Sequence, residues 1–282
     1  MLAKLICAED KSLVPKRLFG SYVLVALVIS LWSATMVFAP TEFAEDGAIA
    51  LGFFGGVLFL FMIFLIEDTK KLRVHGLLGA NWKQSFILLG LFLPLNICLG
   101  FMVVTLTADM AAAGHTLSQI GKNSLPMLLG FPFSAIFLFG EEYGWRYYFQ
   151  PLLQKKFGLI KGVILLGVLW GLWHANLDLF YFPISSAVQM GAFFAIVMHQ
   201  VVCISVGIFL AYVYMKTNNI WLPVTIHFLY NHMGNFFFSE IDYTWSVVAL
   251  VALPFVVIFW PFLFSKVFRK PRGELGGMAM KG

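Results

Sequence analysis

The chain has 282 residues, of which 60% are hydrophobic, 17% aromatic and only 12% charged. A soluble domain of this length carries roughly twice that charged fraction, and apolar runs of about 20 residues, each long enough to cross a hydrocarbon core about 30 Å thick, recur from end to end. An ordinary soluble fold is excluded. So is a nucleic-acid partner, because the net charge of +5 sits at the ends of apolar runs and forms no basic, aromatic-interleaved patch.

The runs are continuously apolar, whereas barrel strands alternate, so the fold class is all-α: a polytopic membrane helix bundle with about eight transmembrane helices. In chain order the predicted spans are 18–38, 48–66, 84–106, 125–149, 160–182, 185–214, 220–238 and 245–265. The first follows Lys16-Arg17 and lacks a small-residue cleavage site, so it is expected to be retained. A more polar stretch, Thr107 to Ser124, separates the third and fourth spans and has room for a short surface helix. The sixth segment is long enough to tilt or project. The tail from Pro271 to Gly282 is expected to be mobile. Cys7, Cys98 and Cys203 are scattered, with no zinc-ligand spacing and no expected disulfide. No internal repeat or soluble insert is visible, so 1–282 reads as a single integral membrane domain.

Orientation follows from charge. Eighteen of the 19 basic residues fall on one side of an eight-span arrangement, and only Lys122 falls on the other. The opposite connections carry Glu42, Glu45, Asp46, Asp109, Asp178, Glu240 and Asp242 instead. By the positive-inside rule both termini are expected to be cytoplasmic.

Charged groups inside spans cost about 2.5–3.5 kcal/mol on insertion scales and mark function. The fourth span holds Glu141, Glu142 and Arg146. Glu142 and Arg146 are four apart and share a helix face, so they are expected to pair. Glu141 points about 100° away and is left to face a cavity. The fifth span holds Trp170 and His174 on one face. In the seventh, His227, Asn231 and Asn235 repeat every four residues. His199 and Gln200 in the sixth are candidates for supporting contacts. Counted from the cytoplasmic ends, Glu141, His174 and His227 lie at depths of roughly 12–20 Å. One carboxylate, two imidazoles and an amide form a kit for hydrolysis, in which the acid takes a proton from water and the others stabilise an oxyanion. The same Glu141, His174 and His227 are also candidate zinc ligands, since two histidines and a glutamate with an open position suit that metal. Spacing does not choose between these readings. The bland reading of the same residues is a polar seam that glues helices together.

Three motifs resemble those of the CPBP family, which groups type II CAAX prenyl proteases (Ras-converting enzyme) with bacteriocin-processing and immunity proteins. They are Glu141-Glu142 to Arg146, Trp170 to His174 (phenylalanine is commoner at the first position), and His227 to Asn231. The matching region, about 125–240, is the catalytic core that the resemblance implies. It implies an intramembrane endopeptidase in which Glu141 activates water with help from His174. His227 and Asn231 would line the oxyanion site, with Glu142 and Arg146 in support. The active site would open toward the cytoplasm. The implied substrate is a prenylated or other membrane-associated peptide, with removal of the C-terminal tripeptide of prenylated CAAX proteins in the best-known branch. Family members are described both as metalloproteases and as metal-independent glutamate proteases, so zinc stays open. The competing classes are a non-catalytic membrane scaffold or bacteriocin-immunity protein and a proton-coupled transporter. An inverted repeat would favour the transporter, and none is seen.

Overall fold

The computed structural model describes residues 12–38, 42–107, 110–180, 192–238 and 245–269. Among them the chain is helical, with no strand. The helices are α1 (Lys16–Phe38), α2 (Glu42–Phe61, continued by a π-helical turn Met62–Ile66), α3 (Thr69–Val74), α4 (Trp82–Thr107), α5 (Met110–Leu129) and α6 (Phe131–Glu142). A π-helical stretch, Tyr143–Phe149, joins α6 to α7 (Gln150–Phe157). Then come α8 (Leu159–Phe180), α9 (Ala192–Thr217), α10 (Trp221–Phe238) and α11 (Trp245–Phe259), which ends in the 3₁₀ turns Trp260–Phe264 and Lys266–Arg269. Several expectations fall outside the described residues: Lys4, Cys7 and Lys11, the start of the sixth segment at 185–191, Glu240 and Asp242, the tail from Pro271, and the side chain of Asn235.

The helices follow the apolar runs because a chain in hydrocarbon must satisfy its backbone N–H and C=O groups internally. Two segments, Trp82–Leu106 and Ile196–Thr217, are long and apolar enough by themselves to cross a membrane. A third crossing results if Ile120–Leu129 and Ser134–Phe157, bent by 78°, make one span. Large apolar side chains face outward along these and neighbouring helices, among them Leu31, Phe54, Leu65, Phe86, Ile87 and Leu125. So much outward apolar surface suits lipid and not water, and the molecule is an integral membrane protein.

One element differs from expectation. The fourth span was expected to run unbroken over 125–149, after a polar stretch with a short surface helix. Instead, residues 125–129 complete α5, which absorbs most of that polar stretch, and a new helix starts at Phe131. The break has a local cause. Gly130 is the N-cap of α6 and Pro132 sits in its first turn, where a missing N–H costs nothing. Pro126 already weakens the end of α5. The redirected helix then continues past 149, through the π-helical stretch, to Phe157.

Close helix approach sets the centre of the bundle. On α8, a Cβ at Gly167 would lie 2.7 Å from the Ile204 backbone of α9, and one at Gly171 would overlap the Gln200 amide. Two small residues four apart therefore let α9 lie against α8, and Gln200 Nε2 donates to Gly167 O at 3.0 Å across that seam. On α6, Gly140 leaves room for the Tyr22 hydroxyl of α1, which donates to Ile136 O at 3.1 Å. A buried polar clasp fixes the start of α10. Asn219 Oδ1 accepts from Trp221 N at 3.0 Å, Asn219 Nδ2 donates to Ser85 Oγ at 3.0 Å, and Trp221 Nε1 donates to Leu77 O at 2.6 Å. With every group in the clasp paired, α10 is pinned to α4, and this sets the height of His227.

Candidate active site

The site forms where the end of α6, the middle of α8 and the middle of α10 meet. The helix carrying the two glutamates loosens into its π-helical stretch one residue after Glu142. Such single-turn expansions occur often at functional sites, because they re-aim side chains without breaking the helix. Here the stretch is anchored by stacked rings: Phe139 on Tyr143 at 5.2 Å and Tyr143 on Tyr147 at 4.5 Å. The Tyr143 hydroxyl also donates to His75 O at 3.1 Å.

Glu142 and Arg146 pair as their four-residue spacing predicted. Arg146 Nε donates to Glu142 Oε2 at 2.9 Å, and both side chains are buried, at 1% and 0% exposure. Arg146 Nη1 also reaches Gly207 O at 3.5 Å. The second oxygen of Glu142 has a partner that sequence reasoning missed: His227 Nδ1 of α10 lies 2.9 Å from Oε1. Each carboxylate oxygen thus has one strong partner. A buried charge is tolerated only when paired and hydrogen-bonded in this way.

Glu141, by contrast, is only partly buried. Its Oε2 accepts from Trp170 Nε1 at 3.3 Å. Trp170 is 3% exposed and meets three further site residues. Its ring lies 5.8 Å from His174 and 5.2 Å, edge-on, from His227, and the Arg146 guanidinium carbon lies 5.5 Å from its centroid. His174 also meets Trp173 edge-on at 5.0 Å and the His199 ring of α9 at 5.1 Å. Glu141, Glu142, Arg146, Trp170, His174 and His227 therefore form one cluster. Asn231 sits one turn beyond His227 on the same face of α10 and is exposed.

Glu142 and His227 are 85 residues apart, and Glu141 and Trp170 are 29 apart. The sequence signal for Trp170 was its place one turn before His174. Nothing in the spacing signalled the link between Glu142 and His227.

Among the described residues no three His, Cys, Asp or Glu side chains are grouped so as to hold a metal ion. Glu142 is committed on both oxygens, and His227 has spent one ring nitrogen on it. A cavity of about 600 Å³ lies elsewhere, between α4, α5, α6 and α10. It is walled by Leu93, Met127, Phe131 and Leu229 among others, and its two hydroxyls, on Ser124 and Thr225, donate to their own helices. Thr225, Leu229 and Met233 project from the side of α10 away from His227, so this cavity is separate from the cluster.

An integral membrane helix bundle with a buried carboxylate–imidazole–guanidinium cluster beside a more accessible glutamate is the class that fold and site define. Residues 123–233 match the family model described as Type II CAAX prenyl endopeptidase Rce1-like. A protein of Methanococcus maripaludis described as CAAX prenyl protease 2 is 30% identical over 119 residues, covering 40% of this chain and 41% of that protein. The chain thus matches less than half the length of this curated relative. No solved structure matches. With the three motifs, these matches support assignment of the chain to the CPBP family.

Proposed function

We propose that the chain is an intramembrane endopeptidase that hydrolyses membrane-associated peptides, with prenylated CAAX proteins as substrates from which it removes the C-terminal tripeptide. The observation that carries this reading is the unequal state of the two glutamates. Glu142 is locked between Arg146 and His227, while Glu141 is partly exposed and joined through Trp170 to His174 and His227. Glu141 takes a proton from water as the water oxygen attacks the scissile carbonyl carbon, and His174 orients that water. The carbonyl oxygen becomes an oxyanion, held by the Asn231 amide and by His227 Nε2 when that nitrogen carries a proton. Because Glu142 engages Nδ1, the ring presents its other nitrogen to the site. As the tetrahedral intermediate collapses, the C–N bond breaks and Glu141 returns its proton to the leaving amine. No metal is needed at any step.

The test is cleavage of a farnesylated CAAX peptide by the detergent-purified protein. Tripeptide release is expected, and it is expected to persist in chelator. Loss of activity in chelator with recovery on zinc addition would replace the glutamate mechanism with a metal one.

The same reading places eight spans in the bilayer, with both termini and the Lys70–Lys83 connection cytoplasmic and the Glu42–Asp46 connection outside. Single cysteines introduced at these four places are expected to label accordingly in right-side-out and inverted vesicles. Termini that label from opposite faces would rule out an even number of spans.

A further inference from the structure

We propose that the indole N–H of Trp170 is a positioning group for Glu141. On this view Trp170 holds one carboxylate oxygen so that the other faces the water to be activated. The inference rests on the endopeptidase reading above and adds a residue to it. Four observations carry it. Trp170 Nε1 donates to Glu141 Oε2 at 3.3 Å. The ring is almost fully buried, so it cannot swing away without opening the core. Its position is over-determined: Arg146 lies over one face, and His174 and His227 approach it at 5.8 and 5.2 Å. Finally, α8 is held against α9 by the seam at Gly167 and Gly171, on either side of Trp170.

A carboxylate at a helix surface rotates about three side-chain torsions, and fixing it lowers the cost of reaching the reactive geometry. Trp170 is suited to this task because indole donates one hydrogen bond and accepts none. It can hold the glutamate but cannot compete for the water's proton. Within the cluster Arg146 Nε and His227 Nδ1 engage Glu142, while the indole reaches Glu141 from a neighbouring helix.

The experiment removes the N–H while keeping the ring. Trp170→Phe is the simple variant. Incorporating 3-benzothienylalanine at 170 keeps the whole bicycle, with sulfur in place of N–H, and protects against loss of fold. On the farnesylated CAAX peptide, each is expected to lower kcat about 10–100-fold, the effect of losing one hydrogen bond to a charged group, with KM unchanged; the melting temperature is expected to hold in the benzothienyl protein and to fall in Trp170→Phe, which leaves a cavity at a buried site. Wild-type kcat in the folded benzothienyl protein overturns the proposal. So does activity that falls only in step with the folded fraction. A second measurement does not depend on turnover. The indole ¹H–¹⁵N resonance of Trp170, identified by its absence in Trp170→Phe, is expected to shift in Glu141→Gln. A resonance that does not move overturns the contact. A wild-type protein that cleaves no peptide, but whose indole resonance shifts, would sink the endopeptidase reading and leave the contact standing.

Discussion

Glu141→Ala and His174→Ala are each expected to abolish peptide hydrolysis while the bundle stays folded. A positioned general base contributes about 10²–10⁴-fold, so either loss should take turnover to background. The fold should survive because neither side chain is fully buried. Removing the Glu141 carboxylate frees the indole N–H of Trp170. His174 sits among Trp170, Trp173 and His199, so its removal trims ring contacts at the edge of the site and opens no core cavity. His227→Ala should be as severe for activity but less clean, because it also strips Glu142 of one of its two partners. Asn231→Ala, on an exposed side chain, should cost about 10²–10³-fold with no change in stability, the signature of a lost oxyanion donor. Melting temperature and turnover measured on the same purified variants separate these outcomes. Full activity in a well-folded Glu141→Ala protein would remove the catalytic assignment. A Glu141→Ala protein that melts early, with activity tracking the folded fraction, would favour a polar seam that merely joins helices.

Arg146→Ala is expected to have the largest effect on stability. Removing one partner of a buried ion pair costs about 3–5 kcal/mol, because the other charge stays in a low-dielectric site. Here Glu142 would keep only His227, at full burial. Arg146 also donates toward Gly207 O and packs over Trp170, so the loss would spread to α8 and α9. Arg146→Lys is not a remedy. A lysine ammonium lacks the planar fork that serves Glu142 and Gly207 together. Glu142→Gln should be milder, since the amide keeps an acceptor for Arg146. The double variant Glu142→Ala/Arg146→Ala should lose clearly less stability than the two single losses added, because neither charge is then stranded. Thermal unfolding in one detergent, with the single Glu142→Ala protein included, measures all five. Additive losses would mean that the pair is energetically uncoupled in spite of its 2.9 Å contact.

The sequence by itself determined whatever depends on neighbours along one helix. Continuous apolar runs specified helices, because a hydrocarbon solvent leaves the backbone no other way to satisfy itself. The four-residue interval between Glu142 and Arg146 specified their pairing, because i and i+4 share a face in any helix. The same rule put Trp170 beside His174 and aligned His227 with Asn231. The break at Gly130 was written locally too, in Gly130 and Pro132, but it was hidden by the apolar residues around it, which made 125–149 look continuous.

Only the tertiary structure decided which residues meet across helices. Periodicity shows which way a side chain points from its own axis. It does not show which helix lies opposite, nor at what height. Those depend on Gly167 and Gly171, which let α9 close onto α8, and on the Asn219–Ser85 clasp, which fixes α10 against α4. From that packing came the His227–Glu142 contact, the indole bond to Glu141 and the meeting of His174 with His199. The chemistry of the site follows from these three contacts. They make one glutamate a buried counter-charge and leave its neighbour accessible, a distinction that two adjacent identical letters in a sequence cannot carry.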